Sequence, residues 1–539
     1  MLRLSQYLLF PCFLILPFTA FTQAFVWADS IAPSDGFINY LFGYELDLSK
    51  EWLAVGMPRD NDPVYGSGSV YLYQLDGGQW NFFQKIAKPD PEPLDRFGSS
   101  VAIYGDYVLV GAQKDDIDGK QDQGAVHLYQ LLPDSAGNEK KFQLIQSFTA
   151  FDGDAKDRFG RRVDLSADFI FVGARGDDDN GQQSGSVYVY KKEKSEESPF
   201  VFWQKIVPDD GDSFDRFGDF LRVFKNNLIV GASGDDDAVE EDSVIINCGS
   251  SYVYQISPGD SSVWTLQKKI LPQTTSPAEE EFGHGVDIFG RYAIAGAMTD
   301  SIGVDSSGSA YIFNYKLGGT GNWGQAQKLV PQEPIPGSLF GFNVAMGKRL
   351  AVVGSRAIPE KNIPGYAYIY QLFPAENEMG EVWVPIQQIA MPGAAFQGKY
   401  GNSIAIYNRW LALGQRADTI NDQIWHGSVQ MYYLDLQANA SFSPIPQVAI
   451  DTPLYTALQI SPNPFNGSGL IELATSLDQV NWKRASLQVV DLNGKIWWQK
   501  DLSEYIPSLE VQLDFLPPGS YVLVQSTEAS LHTHLFIRR

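Results

Sequence analysis

Phe159-Gly160-Arg161-Arg162-Val163-Asp164-Leu165, Phe169-Ile170-Phe171-Val172-Gly173-Ala174, Gly185-Ser186-Val187-Tyr188-Val189-Tyr190 and Phe202-Trp203-Gln204-Lys205-Ile206 follow one another with only short connections between them. Runs this short, rich in β-branched and aromatic residues and bounded by Gly and Asp turns, predict four strands of an antiparallel meander. The same order recurs outward in both directions. Aromatic–Gly pairs stand at Phe42-Gly43, Phe97-Gly98, Phe159-Gly160, Phe217-Gly218, Phe282-Gly283, Phe340-Gly341 and Tyr400-Gly401, spaced 55, 62, 58, 65, 58 and 60 residues apart. A period that long means a repeat architecture with one small sheet per unit.

The third strand of the unit recurs from Gly68, Gly124, Gly249, Gly308, Gly365 and Gly427, and in most copies both of its faces are apolar. A sheet exposed on one side would alternate apolar with polar, so each sheet needs a neighbour on both sides. Seven four-stranded sheets packed radially make a seven-bladed propeller. The Gly in each second strand suits close backbone approach near the axis. Either residues 25–31 or residues 442–450 can supply the last strand of the ring, and pairing the two ends of the ring favours the N-terminal stretch.

Aromatic-Gly, then Val-Gly-Ala, then Gly-Ser-Val-Tyr-Val-Tyr resembles the FG-GAP repeat of integrin-α-like propellers. Val55-Gly56-Met57-Pro58 comes nearest the name-giving tripeptide. The resemblance covers residues 25–450. The calcium-binding members of that family carry an Asp-rich loop between the first two strands. Here those turns are tight, as at Tyr104-Gly105-Asp106, so the family's calcium sites do not transfer.

The acid lies elsewhere. Asp60 and Asp62, then Asp115, Asp116 and Asp118, then Asp177, Asp178 and Asp179, then Asp235, Asp236 and Asp237 fall between second and third strands. Asp152, Asp154 and Asp157, and Asp209, Asp210, Asp212 and Asp215, lead into first strands. A meander puts both kinds of loop on one rim. The opposite turns hold Lys50, Lys225, Arg291, Lys348, Arg349 and Arg409, which predicts a charge difference between the two faces. Crowded carboxylates suit Ca²⁺; they are equally ordinary turn residues. The sixteen carboxylates from Asp115 to Asp237 are therefore the candidate calcium loops, and no other cofactor is expected. Asp95-Arg96, Asp157-Arg158 and Asp215-Arg216 recur, which assigns them a structural role between blades. Arg175-Gly176-Asp177 reads as a repeat variant, not as an adhesion tripeptide.

The remaining features place the chain. Arg3, an apolar run over 7–17 and Thr22-Gln23-Ala24 form a secretory signal over 1–24, with cleavage expected before Phe25. Formal net charge is −24 over 539 residues, which argues against nucleic acid as a partner. Cys12 lies in the signal and Cys248 is left alone, so no intramolecular disulfide is expected. Residues 451–539 depart from the repeat and read as a small Ig-like β-sandwich, with an Asn493-Gly494 hairpin turn. Pro462-Asn463-Pro464-Phe465, Asp491-Leu492-Asn493-Gly494-Lys495 and Pro518-Gly519-Ser520-Tyr521 are similar to the C-terminal sorting domain of type IX secretion. That resemblance implies the secretion machinery as a partner and an extracellular or outer-surface location on a Gram-negative bacterium. Past the signal no segment is long and apolar enough to cross a bilayer, so no transmembrane anchor is expected in the mature chain.

Five histidines, no close metal-ligand spacing, no nucleophile elbow and no phosphate loop speak against catalysis. The leading expectation is a binding or adhesion propeller with a glycan or protein ligand on a rim. The alternatives are an extracellular enzyme acting on polysaccharide or phosphoester, and a structural surface component. Histidines or buried carboxylates at the central channel would favour the enzyme, and an exposed aromatic patch on one rim would favour glycan binding.

Overall fold

In the computed structural model, the described residues are 24–435, apart from 34–40, 194–198, 273–279, 375–380, 392–402 and several shorter loop stretches, together with seven strands between 459 and 538. The fold is all-β: seven four-stranded antiparallel sheets form a β-propeller. Blade 1 spans 46–87, blade 2 97–148, blade 3 159–206, blade 4 220–270, blade 5 282–329 and blade 6 344–391. Blade 7 combines strands within 404–435 with Ala24–Ile31 as its outermost strand. The N-terminal stretch therefore closes the ring. The other candidate, 442–450, lies outside the described residues, as does Tyr400-Gly401.

Blade 3 shows how the repeat builds its sheet. Phe159–Leu165 pairs with Phe169–Ala174, which pairs with Ser186–Lys192, which pairs with Phe200–Ile206. Every residue from Phe169 to Ala174 is buried, as is the run Ser186–Tyr190, because neighbouring blades cover both faces. Hydrophobic clusters accordingly lie between blades. One gathers Leu109 and Leu128 of blade 2 with Val163, Val172 and Tyr188 of blade 3.

The aromatic–Gly pair is a bulge. Phe159 pairs with Ala174 and Arg162 with Gly173, leaving Gly160 and Arg161 unpaired. Gly160 takes φ +84°, and its turn brings the next blade against the Gly of the preceding second strand. A Cβ on Gly173 would sit 2.0 Å from the Gly218 carbonyl, and one on Gly414 would sit 2.2 Å from that of Gly43, which joins blade 7 to blade 1. Only Gly permits such contacts.

A second seam runs along the outer strands. Gln204 donates to Trp264 O at 3.0 Å and accepts from Trp264 N at 2.7 Å. Gln84 does the same with Phe142, Gln146 with Phe200 and Gln327 with Trp383. Gln387 with Phe25 repeats the clamp where the N-terminal strand docks beside blade 6. One side chain thus satisfies both backbone groups of an aromatic in the neighbouring blade.

Beyond the ring, Gln459–Ser461, Ser468–Glu472 and Ser508–Gln512 form one antiparallel sheet. Ile496–Leu502, Ala485–Asp491, Gly519–Ser526 and Leu531–Arg538 form another. The strands flanking the Asn493-Gly494 turn pair as a hairpin; the turn itself lies outside the described residues.

Candidate functional site

Two zones share one rim of the ring, an outer annulus of carboxylates and a cavity on the axis. The annulus is built by the loop after each second strand. Asp60, Asp177, Asp235 and Asp300 occupy equivalent places and are all buried. Each accepts a short hydrogen bond from a third-strand serine: Ser69 at 2.6 Å, Ser186 at 2.8 Å, Ser250 at 2.6 Å and Ser309 at 2.6 Å. Each also meets a fourth-strand lysine: Lys85 at 2.8 Å, Lys205 at 2.8 Å, Lys269 at 2.7 Å and Lys328 at 2.7 Å. A third-strand tyrosine lies directly across from that lysine in register. Its ring passes under the ammonium, at 5.0 Å for Lys205 over Tyr188. Burial opposes the lysine charge. The hydrogen bonds to Asp177, Asp179 and Asp152 outweigh it and raise the Lys205 pKa.

Blade 2 departs from this pattern. Where blades 1, 3, 4 and 5 have Tyr and Lys in register, it has His127 and Ser147; blade 6 sets Tyr368 against Gln388, and blade 7 sets Gln430 against Ser30. Lys88, from the loop between blades 1 and 2, replaces the missing cation and pairs with both Asp95 and Asp115. Burial, then the Lys88 charge, pushes the His127 pKa down to about 4, so the ring is neutral near pH 7.

The structure brings together some of the expected calcium ligands and not others. Asp152, Asp177 and Asp179 converge on Lys205, and Asp210 and Asp235 on Lys269. Asp115 joins Asp95 at Lys88. Asp157 and Asp215 accept the backbone N–H of Asp154 and Asp212, and so cap their own loops. Asp116 and Asp178 cap turns in the same way, through Asp122 N and Gln183 N. Asp118, Asp154, Asp209, Asp212 and Asp236 are exposed on the surface of the annulus, and Asp237 lies outside the described residues. Among the described residues, no group of three or more His, Cys, Asp or Glu side chains gathers as a metal cage. The carboxylates that do converge close on an ammonium.

The axial cavity has a volume of about 560 Å³. Its lining comes from fixed places in the repeat. One is the second residue after the second-strand Gly: Pro58, Gln113, Arg175, Ser233, Met298 and Arg356. Another is the residue before the aromatic, where Leu41, Arg96, Arg216, Glu281 and Leu339 all take positive φ. A left-handed backbone at a non-Gly residue is strained, and its recurrence marks a position held by its surroundings. The bulge supplies Ser99, Arg161 and His284.

Seven arginines line this cavity against three carboxylates, Glu45, Asp219 and Glu281. Asp219 takes Arg161 at 2.6 Å and Arg175 at 3.2 Å, and Glu45 takes Arg162. Burial would raise the Asp219 pKa, but the Arg161 and Arg175 charges hold it well below the usual carboxylate range. No ion pair joins Arg59, Arg96, Arg216 or Arg356 to a carboxylate among the described residues. The buried Nε atoms of Arg96, Arg162 and Arg356 have no hydrogen-bond partner. Part of the wall is aromatic: His284 packs between Phe220 and Phe342 with ring centroids 4.6 Å from each. Burial lowers the His284 pKa to about 4, and its Nδ1 lies 3.1 Å from the Phe342 carbonyl.

Deeper on the axis the sign reverses. Asp47, Asp164 and Asp287, from the first strands of blades 1, 3 and 5, act on Arg222. Each also accepts a backbone N–H from the next blade: Ile103 at 2.8 Å, Val223 at 2.7 Å and Met346 at 2.6 Å. Burial pushes the Asp47 pKa up to about 7 and that of Asp287 to about 6.

The Asp-Arg pairs split between these zones. Arg96 N and Phe97 N donate to Gly66 O and Ser67 O of the preceding blade, so the pair joins blades as its recurrence suggests. The Arg96 and Arg216 side chains line the cavity, which recurrence alone did not reveal. Asp177 of Arg175-Gly176-Asp177 is buried and is not displayed for adhesion. Exposed rings do occur on the acidic rim, at Phe151, Tyr65 and Phe214. Buried carboxylates and one histidine also stand on the axis, each with a partner inside the fold.

Comparison with known proteins adds the family of the repeats. The FG-GAP repeat family matches residues 28–73, 80–129, 142–190, 200–254 and 264–313. Each match runs from an outermost strand through the third strand of the following blade, and the first begins in the strand that closes blade 7. No curated protein matches the chain. Among solved structures, Sqt1 from Chaetomium thermophilum is 12% identical with a TM-score of 0.43, covering 76% of this chain and 100% of its own. Hsv2 from Kluyveromyces lactis is 14% identical with a TM-score of 0.40, covering 73% and 98%. A Bacteroides fragilis protein provisionally assigned as a 6-phosphogluconolactonase is 9% identical with a TM-score of 0.42, covering 65% and 84%. Similarity this distant carries no argument about ligand or activity.

Proposed function

With five FG-GAP repeats in a seven-bladed ring as the premise, we propose that this chain is a secreted or surface-attached binding protein of a Gram-negative bacterium. Its ligand meets the rim that carries the axial cavity. The observation that supports this most is a ligand-sized cavity lined by side chains from several blades, each on a rigid strand end. On this reading the signal over 1–24 directs export, and residues 451–539 form an Ig-like sorting domain read by the type IX machinery. Phe151, Tyr65 and Phe214 on the same rim suit a glycan that reaches beyond the cavity.

The test has two arms. Deleting 451–539 should retain the propeller inside the cell, whereas the full chain is recovered outside it; secretion of the truncated chain refutes the sorting role. A glycan array probed with the purified full chain should then identify sugars whose binding falls in a Phe151→Ala variant.

A second reading rests on one specific observation. Asp219 and His284 stand in the cavity beside the arginines, so an enzyme acting on phosphoesters fits the same site. Turnover of p-nitrophenyl phosphate that disappears in His284→Gln would favour it. Against it, the Asp219 charge is already committed to Arg161 and Arg175.

A further inference from the structure

The axial cavity has a charge opposite to that of the protein that contains it. The chain carries a formal net charge of −24, and the annulus round the mouth is lined with carboxylates. Inside, seven arginines face three carboxylates, and two of those carboxylates are already taken by Arg161, Arg162 and Arg175. Burial first, then the Arg59 and Arg158 charges, lowers the Arg96 pKa, and the opposing pull of Tyr44 and Asp122 does not offset it. Arg162 is 8% exposed, lines the cavity, and keeps a buried Nε with no partner. Buried polar atoms normally find partners, and unpaired ones point to a group the fold alone does not supply. Guanidinium groups are planar forks that match phosphate and sulfate oxygens.

We propose that the axial cavity is a binding site for a compact oxyanion, a phosphate or sulfate group carried by a small molecule. Arg96, Arg216 and Arg356 come from blades 2, 4 and 6 and approach the axis from separate directions. Arg161 and Arg175, held by Asp219, add a fixed positive wall. The ring stack of Phe220, His284 and Phe342 gives a flat face for whatever carries the anion. The carboxylate annulus repels extended polyanions, so the site selects a small ligand over a nucleic acid or a polysulfated chain.

This inference deepens the binding reading by naming the chemistry of its site. Its test stands apart from export, because purified protein is used. Inorganic pyrophosphate titrated into the secreted chain by calorimetry should bind one-to-one, weaken as salt rises and raise the melting temperature. The double substitution Arg96→Gln/Arg356→Gln should weaken binding at least tenfold, while Lys191→Gln, half-buried over the Trp203 ring and outside the cavity, should leave it unchanged. Sulfate, inorganic phosphate and glucose 6-phosphate in parallel report whether the carrier ring adds affinity. No heat and no thermal shift with 10 mM pyrophosphate would overturn the proposal, as would binding that survives the double substitution. Loss of secretion on deleting 451–539, or its persistence, would not change either result.

Discussion

Lys205 and Arg356 are cations on the same face of one ring, and the fold uses them in opposite ways. Lys205 has three carboxylates within 3 Å, at 2.9, 2.8 and 2.7 Å, and a tyrosine ring beneath it. Arg356 has no carboxylate among the described residues, and its Nε is buried without a partner. In the annulus, structure consumes much of the charge: Asp60, Asp177, Asp235 and Asp300 each have an ammonium, a serine and an aromatic, and Asp95 and Asp115 share Lys88. On the axis, charge is left over. Residues that satisfy each other hold the blades, and residues that do not are available to a ligand. Counting carboxylates along the sequence points to the annulus, where little is free to bind.

Removing Lys205 should therefore have the largest effect. Lys205→Met leaves Asp177, buried beneath the loop, with no cation, and breaking one side of a buried pair costs roughly 3–5 kcal/mol. Chemical denaturation should show that loss, and adding Asp177→Asn should recover most of it. Because the ammonium already fills the centre of the cluster, melting curves of the native chain in EDTA and in 5 mM Ca²⁺ should coincide. A calcium-dependent shift of several degrees would put a metal back in the annulus.

Blade 2 sharpens the point by having solved the same problem with other residues. Lys88→Met should destabilise by about as much as a single broken buried pair, on the order of 3 kcal/mol. Grafting the pattern of blades 1, 3, 4 and 5, His127→Tyr with Ser147→Lys, should then restore a large part of it. Failure of the graft would mean that the fourth-strand lysine needs more than its register partner to work.

The seven-fold aromatic–Gly period, the tight first turns and the two-sided third strand were all readable, because close packing round an axis constrains residue type at every copy. The lysine closure was partly readable: Lys85, Lys205, Lys269 and Lys328 recur at one place in the fourth strand. It passes unnoticed because a lysine on an outer strand looks solvated. The cavity was harder to find for the opposite reason. Its positions, second after the second-strand Gly and before the aromatic, are fixed by the repeat, but their residues vary from Pro and Met to Arg and Glu. If the axial cavity takes the ligand, function sits where the repeat stops dictating the side chain. Grouping the variable residues by repeat position, instead of scanning for motifs, would have exposed Arg96, Arg175, Arg216 and Arg356 as one set.

The deeper stretch of the axis offers a smaller contrast through pH. Arg222 faces Asp47, Asp164 and Asp287, so here carboxylates outnumber cations. Burial raises the Asp47 pKa to about 7 in the folded chain, above its unfolded value. A raised pKa contributes stability that is full below the unfolded value and is lost as pH rises through the folded one. From this group the native chain should lose stability between pH 5.5 and pH 8. Asp47→Asn keeps an acceptor for Ile103 N and removes the titration. Its melting temperature should fall less over that interval, by a few degrees. His284, lowered to about 4 by burial, acts in the opposite sense as pH falls, and it is common to both proteins. Parallel slopes for the two would show that Asp47 does not titrate in this range.

Arg356→Gln should change stability least. No ion pair is lost, the buried Nε loses nothing it was bonded to, and crowding with the other axial cations is relieved. The expected change is within about 0.5 kcal/mol, and toward greater stability. Paired with Lys205→Met under identical denaturation, it measures the comparison directly: a cation that holds the ring against one that the ring holds in reserve. A loss of several kcal/mol at Arg356 would mean that the axial arginines brace the blades from within. The unpaired guanidiniums would then be structural, and the distinction between annulus and axis would fail.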